Sequence, residues 1–273
     1  MSATTQETAV QRDPTPRFTA SHMKVAEACP ASYAREIEMA FFCQSYGIGG
    51  PDTGSALADR GTKLHDVFAA IPYTGNGMGP LNFNFWRTVF HAADANGIVL
   101  GAGDRWFIRE CITRRDALID AMIARVRAEH GGIGRVDLVA DTERFYLDVP
   151  LKNGGSEWFS GRPDFVAVVY DPSGVARRAL VADYKTGFAY QGAEAVNVQL
   201  RTLAVLVALK HPTVAAVQVS LLARADLREG EVTAHTFGLT DLATTHIDRL
   251  ITTVQDGVDL ADEFFATGEA VTN

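Results

Sequence analysis

Apolar residues recur at helical spacing in the first half of the chain and at strand spacing in the second. In "RGTKLHDVFAAI", residues 60–71, Leu64, Val67, Phe68 and Ile71 fall at i, i+3, i+4 and i+7. That spacing predicts an amphipathic helix with His65 on the edge of its apolar stripe. A second helix is predicted from Trp106 to His130, stopped by Gly131 and Gly132. Glycine-rich stretches at 46–55 and 72–80 read as surface connections between helices, and the polar residues 1–17, with Pro14 and Pro16, as a loose tail. After Gly134 the spacing changes. Segments 136–149, 158–171 and 178–185 are rich in strand formers and are separated by "KNGGS" and "DPSG", which predicts three antiparallel strands in a meander. A helix apolar on most sides follows over about 192–210. Two more strands are expected at 214–225 and 231–239, then a last amphipathic helix capped by Thr240, with Ile247, Leu250, Ile251 and Val254 inward. The expected order is helices, then βββαββ, then helices, without an internal repeat. It reads as a single α/β domain: a helical part over 18–133, a core with a mixed sheet of about five strands over 134–239, and C-terminal helices over 240–273.

The composition is that of an ordinary globular protein: 273 residues, 47% hydrophobic and 21% charged. The longest apolar runs, such as "LAVLVAL" at 203–209, are too short to span a bilayer, and the first residues hold no apolar secretory core. A soluble, intracellular protein is expected. Cys29, Cys43 and Cys111 are odd in number and lack paired spacing, so they read as small buried hydrophobes in a reducing compartment, not as a disulfide framework. A net charge of −8 weighs against a non-specific coat for nucleic acid, so any polyanion needs a local basic groove or a bridging metal.

The charge pattern that stands out is "VADYKTG", residues 181–187. On a strand, Asp183 and Lys185 project to one face and Tyr184 to the other. Burying one unpaired charge costs several kcal/mol, so either the two pair with each other or a ligand completes the site. On the preceding strand "GRPDFV" supplies Asp164, and a hairpin partner can bring this second carboxylate beside Asp183. Two adjacent carboxylates repel unless a cation sits between them, and oxygen ligands of this kind suit Mg²⁺ or Mn²⁺. Lys185 next to such an ion can orient a water and stabilise charge on a phosphate.

Asp164 in "GRPD", eighteen residues, and then "DYKTG" resembles the catalytic signature of the PD-(D/E)xK nucleases, most closely their RecB-like and CRISPR-associated-exonuclease branch. His65 in "RGTKLH", Glu143 in "TERF" and Gln199 in "NVQLRTLAVL" match further positions of that branch in order. The opening "FTASHMKVAEACPASYARE" with "ALADRGTKLH" is similar to RecB-like proteins of phage and prophage gene clusters, and the likeness covers roughly residues 18–225. The resemblance implies a restriction-endonuclease-like core with metal held by His65, Asp164, Asp183 and the backbone carbonyl of Tyr184. It makes Lys185 the catalytic lysine, with Glu143 and Gln199 supporting the site or contacting DNA. It further implies metal-dependent hydrolysis of DNA, exonucleolytic by preference, in phage-type recombination, replication or repair in the cytoplasm of a bacterial host. A single-strand-binding or annealing protein is the natural partner, and no membrane is involved. Two departures stand out. Leu203 replaces a tyrosine common four residues after the glutamine. Cys29, before Pro30, matches the first cysteine of an iron-sulfur subgroup, but none follows Cys111, so no such cluster is expected.

Each of these residues also has a plainer reading. Asp183 and Lys185 can form a structural ion pair, Asp164 can cap a turn, and His65 can be a satisfied helix-face histidine. Glu143 can be a solvated strand residue and Gln199 a buried amide bonded to backbone. Arg60, Lys63, Arg162 and Arg201 flank the motifs and either form a DNA-binding groove or lie on solvated faces. The rival function is a catalytically silent nuclease fold that binds DNA or scaffolds a recombination complex. A small-molecule hydrolase or transferase is a third reading, but the chain has no Walker loop, nucleophile elbow or dinucleotide fingerprint to support it.

Overall fold

The computed structural model describes residues 18–29, 31, 34, 56–73, 75, 83–140, 143–186, 198–229 and 234–267. The expected tail at 1–17, the loop at 46–55 and Cys43 lie outside them, as do most of the 72–80 loop and the predicted helix start at 192–197. In chain order, the two-residue strand β1 (Phe18–Thr19) leads to α1 (Met23–Ala28), α2 (Ala56–Ala69), α3 (Phe83–Ala95) and α4 (Ala102–His130). Six strands and a helix follow: β2 (Arg135–Ala140), β3 (Phe145–Pro150), β4 (Ser156–Gly161), β5 (Phe165–Tyr170), β6 (Ala176–Lys185), α5 (Val198–Lys210) and β7 (Ala216–Ala223). The chain continues with α6 (Arg224–Glu229), β8 (Ala234–Gly238), a helical turn α7 (Leu239–Asp241), a π-turn (Leu242–His246) and α8 (Ile247–Thr267).

The central sheet has five strands in the order β2-β5-β6-β7-β8; β6 and β7 are parallel and the other pairs antiparallel. With α5 crossing from β6 to β7, this is the expected mixed βββαββ core. Alternation along each strand places two apolar layers, one on each sheet face. Val166, Val168, Val181, Val217 and Val219 face α5, α1 and α8, whereas Phe165, Ala167, Leu180, Ala182 and Tyr184 face α2, α3 and α4. The central strands β5 and β6 are buried on both faces, which explains why β5 reads as an unbroken apolar run.

The predicted meander is only partly correct. Its first two segments each break into two strands, so that β2–β3 and β4–β5 form one long bent hairpin. The outer half, β3 and β4, leaves the main sheet and joins β1 in a three-stranded sheet of order β1-β4-β3. The break falls between the pairs Ala140–Phe165 and Phe145–Gly161: four residues separate them along one strand and three along the other, so the ladder cannot run on in register. Gly161 sits at that bend, where an added Cβ would lie 2.6 Å from Leu203 Cδ2 and 2.7 Å from Leu206 Cδ1 of α5. Gly161→Val is therefore expected to cost about 1–3 kcal/mol by overpacking, read as a lower urea midpoint at unchanged slope, with Gly161→Ala milder.

Three smaller expectations also change. The long helix starts at Ala102, four residues before Trp106, because Asp104 Oδ2 accepts the Gly101 N–H at 2.9 Å. The last helical segment begins at Leu239 after Gly238, so Thr240 lies inside its first turn and does not cap it. Cys111 is buried, with its thiol pKa pushed up by burial, but Cys29 is exposed. Among the described residues no helix is long and apolar enough to cross a membrane.

Candidate active site

Strand register brings the two carboxylates together. Phe165 pairs with Ala182, and one step further along the antiparallel ladder sets Asp164 opposite Asp183. Asp183 and Lys185 share the α5 face of β6, while Tyr184 turns to the other face, where its ring stacks on Phe68 of α2 at 4.1 Å between centroids. The Lys185 ammonium lies 2.7 Å from Asp183 Oδ2. Gln199, in the first turn of α5, spans the pair: its amide N–H donates to Asp183 Oδ1 and its carbonyl accepts from Lys185, both at 3.3 Å. Asp164 is held from two sides. Its Oδ2 accepts the Tyr184 backbone N–H at 2.7 Å, and its Oδ1 meets His65 Nδ1 at 3.0 Å.

α2 reaches this cluster because it passes close to the end of β6. A Cβ on Gly61 would stand 3.1 Å from Thr186 Oγ1, so the glycine of "RGTKLH" lets the helix pass close to the residue after β6. Arg60 fixes the helix by donating to Asp104 at 2.5 Å and to the Val99 carbonyl at 3.2 Å. Asp104 is also bound by Arg224 at 3.0 Å, which ties α2, α4 and the end of β7 into one frame. Burial works to raise the Asp104 pKa, but its hydrogen bonds to Arg224, Gly101 and Arg60 outweigh that and lower it.

The electrostatics are those of a crowded anionic site. Burial raises the Asp183 pKa and the Asp164 charge raises it further, while Lys185 and His65 pull it back. Burial works to lower the Lys185 pKa, but the charge and hydrogen bond of Asp183 prevail and raise it, so Lys185 is a cation. Burial likewise opposes protonation of His65, and the Asp164 hydrogen bond with the charges of Asp164 and Asp183 more than offsets it.

Not every sequence candidate joins the cluster. Glu143 lies before β3 in the outer hairpin and pairs with Lys210 at the far end of α5, roughly 16 Å of helix away from Gln199. The single strand expected over 136–149 thus divides, and the hairpin bend carries Glu143 out of the main sheet. Arg201 is buried, pairs with Glu27 and cannot line a DNA groove. Arg60 is committed to Asp104, and Lys63 pairs with Asp59 on the same helix at 2.9 Å. Arg162 is exposed, two residues from Asp164. Sequence reasoning missed Arg115, fully buried behind the site against the Phe165 ring at 4.7 Å. The signal was there: Arg115 falls on the stripe Ile108, Ile112, Ile119, Met122 and Val126, where a charge has no solvated reading.

Residues 17–267 match the profile of the PD-(D/E)XK nuclease superfamily. The chain belongs to this superfamily. It is thereby a nuclease by family, of the phosphodiester-hydrolase class, with DNA as the substrate that membership implies. No curated protein sequence matches it. Among solved structures the chain is similar to one described as "Crystal structure of SSO0001", at 9% identity over 77% of this chain and 87% of that one, with a TM-score of 0.29. At that level of superposition the likeness supports no structural conclusion.

Nucleases of this superfamily generally use divalent ions such as Mg²⁺ or Mn²⁺. Among the described residues no three His, Cys, Asp or Glu side chains converge as a ready-made cage. The donor chemistry nonetheless fits a hard divalent cation. Two carboxylates face each other across adjacent strands, and the buried Asp183 Oδ2 has the Lys185 ammonium at 2.7 Å as its neighbour.

Proposed function

We propose that this member of the superfamily is a metal-dependent deoxyribonuclease that hydrolyses phosphodiester bonds at DNA ends, as an exonuclease of phage-type recombination, replication or repair. The observation that supports the catalytic part is that strand register sets the His65–Asp164 pair beside the Asp183–Lys185–Gln199 set, two hydrogen-bonded groups drawn from separate elements of the fold. Action on ends and the phage setting are supported by the sequence resemblance, as is a single-strand-binding or annealing partner.

Asp164 and Asp183, with His65 and the Tyr184 carbonyl, are the groups that would hold the ion. When bound, such an ion supplies Lewis acidity, lowering the pKa of water and offsetting charge on the phosphoryl oxygens. The protein's own part is positional and electrostatic. Lys185, held cationic by Asp183, presents N–H donors to a phosphate oxygen as negative charge builds on it. Gln199 fixes the ammonium and the carboxylate relative to each other, so neither must reorganise during the reaction. Tyr184, stacked on Phe68, anchors the strand, and its N–H holds Asp164 in place.

Linear DNA labelled at one end tests this reading. Degradation is expected with Mg²⁺ or Mn²⁺ and none with EDTA, and the label gives the polarity. Purified protein that binds DNA but cuts it with neither ion would sink the proposal and favour a silent scaffolding subunit.

A further inference from the structure

Both members of the His65–Asp164 pair are referenced to one residue behind them. Asp164 Oδ2 accepts the Tyr184 backbone N–H at 2.7 Å, so the carboxylate is placed by the strand. The Tyr184 side chain turns to the opposite sheet face, where Phe68 of α2 covers it with ring centroids 4.1 Å apart and planes 10° from parallel. His65 lies three residues before Phe68, on the same side of α2, and its ring stands edge-to-face to Tyr184 at 6.4 Å. Phe68 is fully buried and packs edge-to-face on Phe107 of α4 at 5.7 Å, which braces its ring from a third element. Arg60 and Gly61 tie α2 down before His65, and Arg115 holds the Ile71 and Pro72 carbonyls after it. Between those ties, the Phe68–Tyr184 stack sets the spacing of helix and strand one helical turn from the imidazole.

We infer that Phe68 is a positioning residue: its flat ring is a spacer of fixed thickness between α2 and Tyr184, and it thereby keeps His65 on Asp164. The assignment rests on the reading of these two side chains as metal ligands and adds the residue that spaces them. His65 Nδ1 and Asp164 Oδ1 are 3.0 Å apart, so a shift of α2 by about 0.5 Å brings the pair to the limit of hydrogen bonding. Leucine in place of Phe68 removes the flat face and leaves a void that the helix closes only in part. An interior packed at crystal density passes such a shift on to its neighbours, and His65 is the neighbour on the same helix face.

The test reads His65 directly, in the full chain without metal. Diethyl pyrocarbonate acylates accessible, unprotonated imidazole nitrogens, and mass spectrometry of the peptides gives a rate for each histidine. Phe68→Leu is compared with wild type and with Met122→Ala, a truncation in the same core layer but beside Arg178, toward the other end of β6. His65 is expected to react about fivefold faster in Phe68→Leu, the equivalent of one hydrogen bond lost, with the exposed His91 unchanged and Met122→Ala close to wild type. Phe68→Met, which fills the space without a flat ring, is run beside it and decides the question if the leucine variant does not fold. An unchanged His65 rate, or an equal rise in Met122→Ala, overturns the assignment. Mn²⁺ affinity, read by electron paramagnetic resonance without DNA, is expected to fall about tenfold in Phe68→Leu and to fall no further when Phe68→Leu is added to His65→Ala. Additive losses overturn the assignment as well, because a general loss of stability does not act through His65. A wild type that binds no Mn²⁺ sinks the metal reading alone, and the acylation rates then still decide whether Phe68 places His65.

Discussion

Lys185→Ala is expected to slow DNA hydrolysis about 10²–10³-fold while the protein stays folded and still binds DNA, and Asp183→Asn should do the same. The magnitude follows from removing one preorganised donor from a site where negative charge develops. The role proposed for Lys185 is that of such a donor, and its surroundings support it. Its ammonium is fixed between Asp183 and Gln199 and kept charged by the two carboxylates, at a strand end where part of the side chain remains open to solvent. A purely structural ion pair would behave differently. Its loss would lower stability with no selective effect on rate, because the remaining partner would be left buried alone. Rates on end-labelled DNA, set beside thermal midpoints and DNA affinities of the same variants, separate the two. Wild-type hydrolysis by Lys185→Ala would reduce the pair to scaffolding.

The second large effect concerns stability. Arg115→Met is expected to destabilise the protein by about 3–5 kcal/mol, the usual cost of leaving one partner of a buried ion pair uncompensated. Arg115 and Asp116 are both fully buried and meet at 2.8 Å. The same guanidinium donates to the Ile71 carbonyl at 3.0 Å and the Pro72 carbonyl at 3.1 Å, closing the end of α2. It also stands behind the site strands: it lies over Phe165, the neighbour of Asp164, and its charge counters the burial that raises the Tyr184 pKa. Combining Arg115→Met with Asp116→Leu should recover part of the loss, since no bare carboxylate remains, but not all of it, since the two carbonyls lose their donors. Urea unfolding of the single and double variants measures this directly. A cost under about 1 kcal/mol for Arg115→Met would show that the pair adds little.

The cluster is legible in the amino-acid sequence because its members lie inside strongly patterned segments. Asp183 and Lys185 sit two apart on an apolar strand, His65 rides the edge of a clear helical stripe, and Gln199 heads an apolar helix. Periodicity records which face of its own element a residue occupies, and the ordered motif supplies the rest. Glu143 and Arg201 show where this stops. Both flank motif segments and both are charged, but one leaves the sheet with the hairpin bend and the other turns inward to meet Glu27. Neither event has a local signature, because each depends on what another element offers.

The sequence by itself determined the βββαββ order, the two-faced burial of the central strands and the candidate residues that the fold brings together. These follow from short-range alternation and from the cost of burying charge without purpose. Only the tertiary structure decided that the first hairpin divides between two sheets, that Arg60 braces α2 against Asp104, and that Arg115 underpins the site strands. Those outcomes depend on register mismatch between segments some twenty residues apart and on pairing between helices far apart in the chain, energies that exist only once the elements have met.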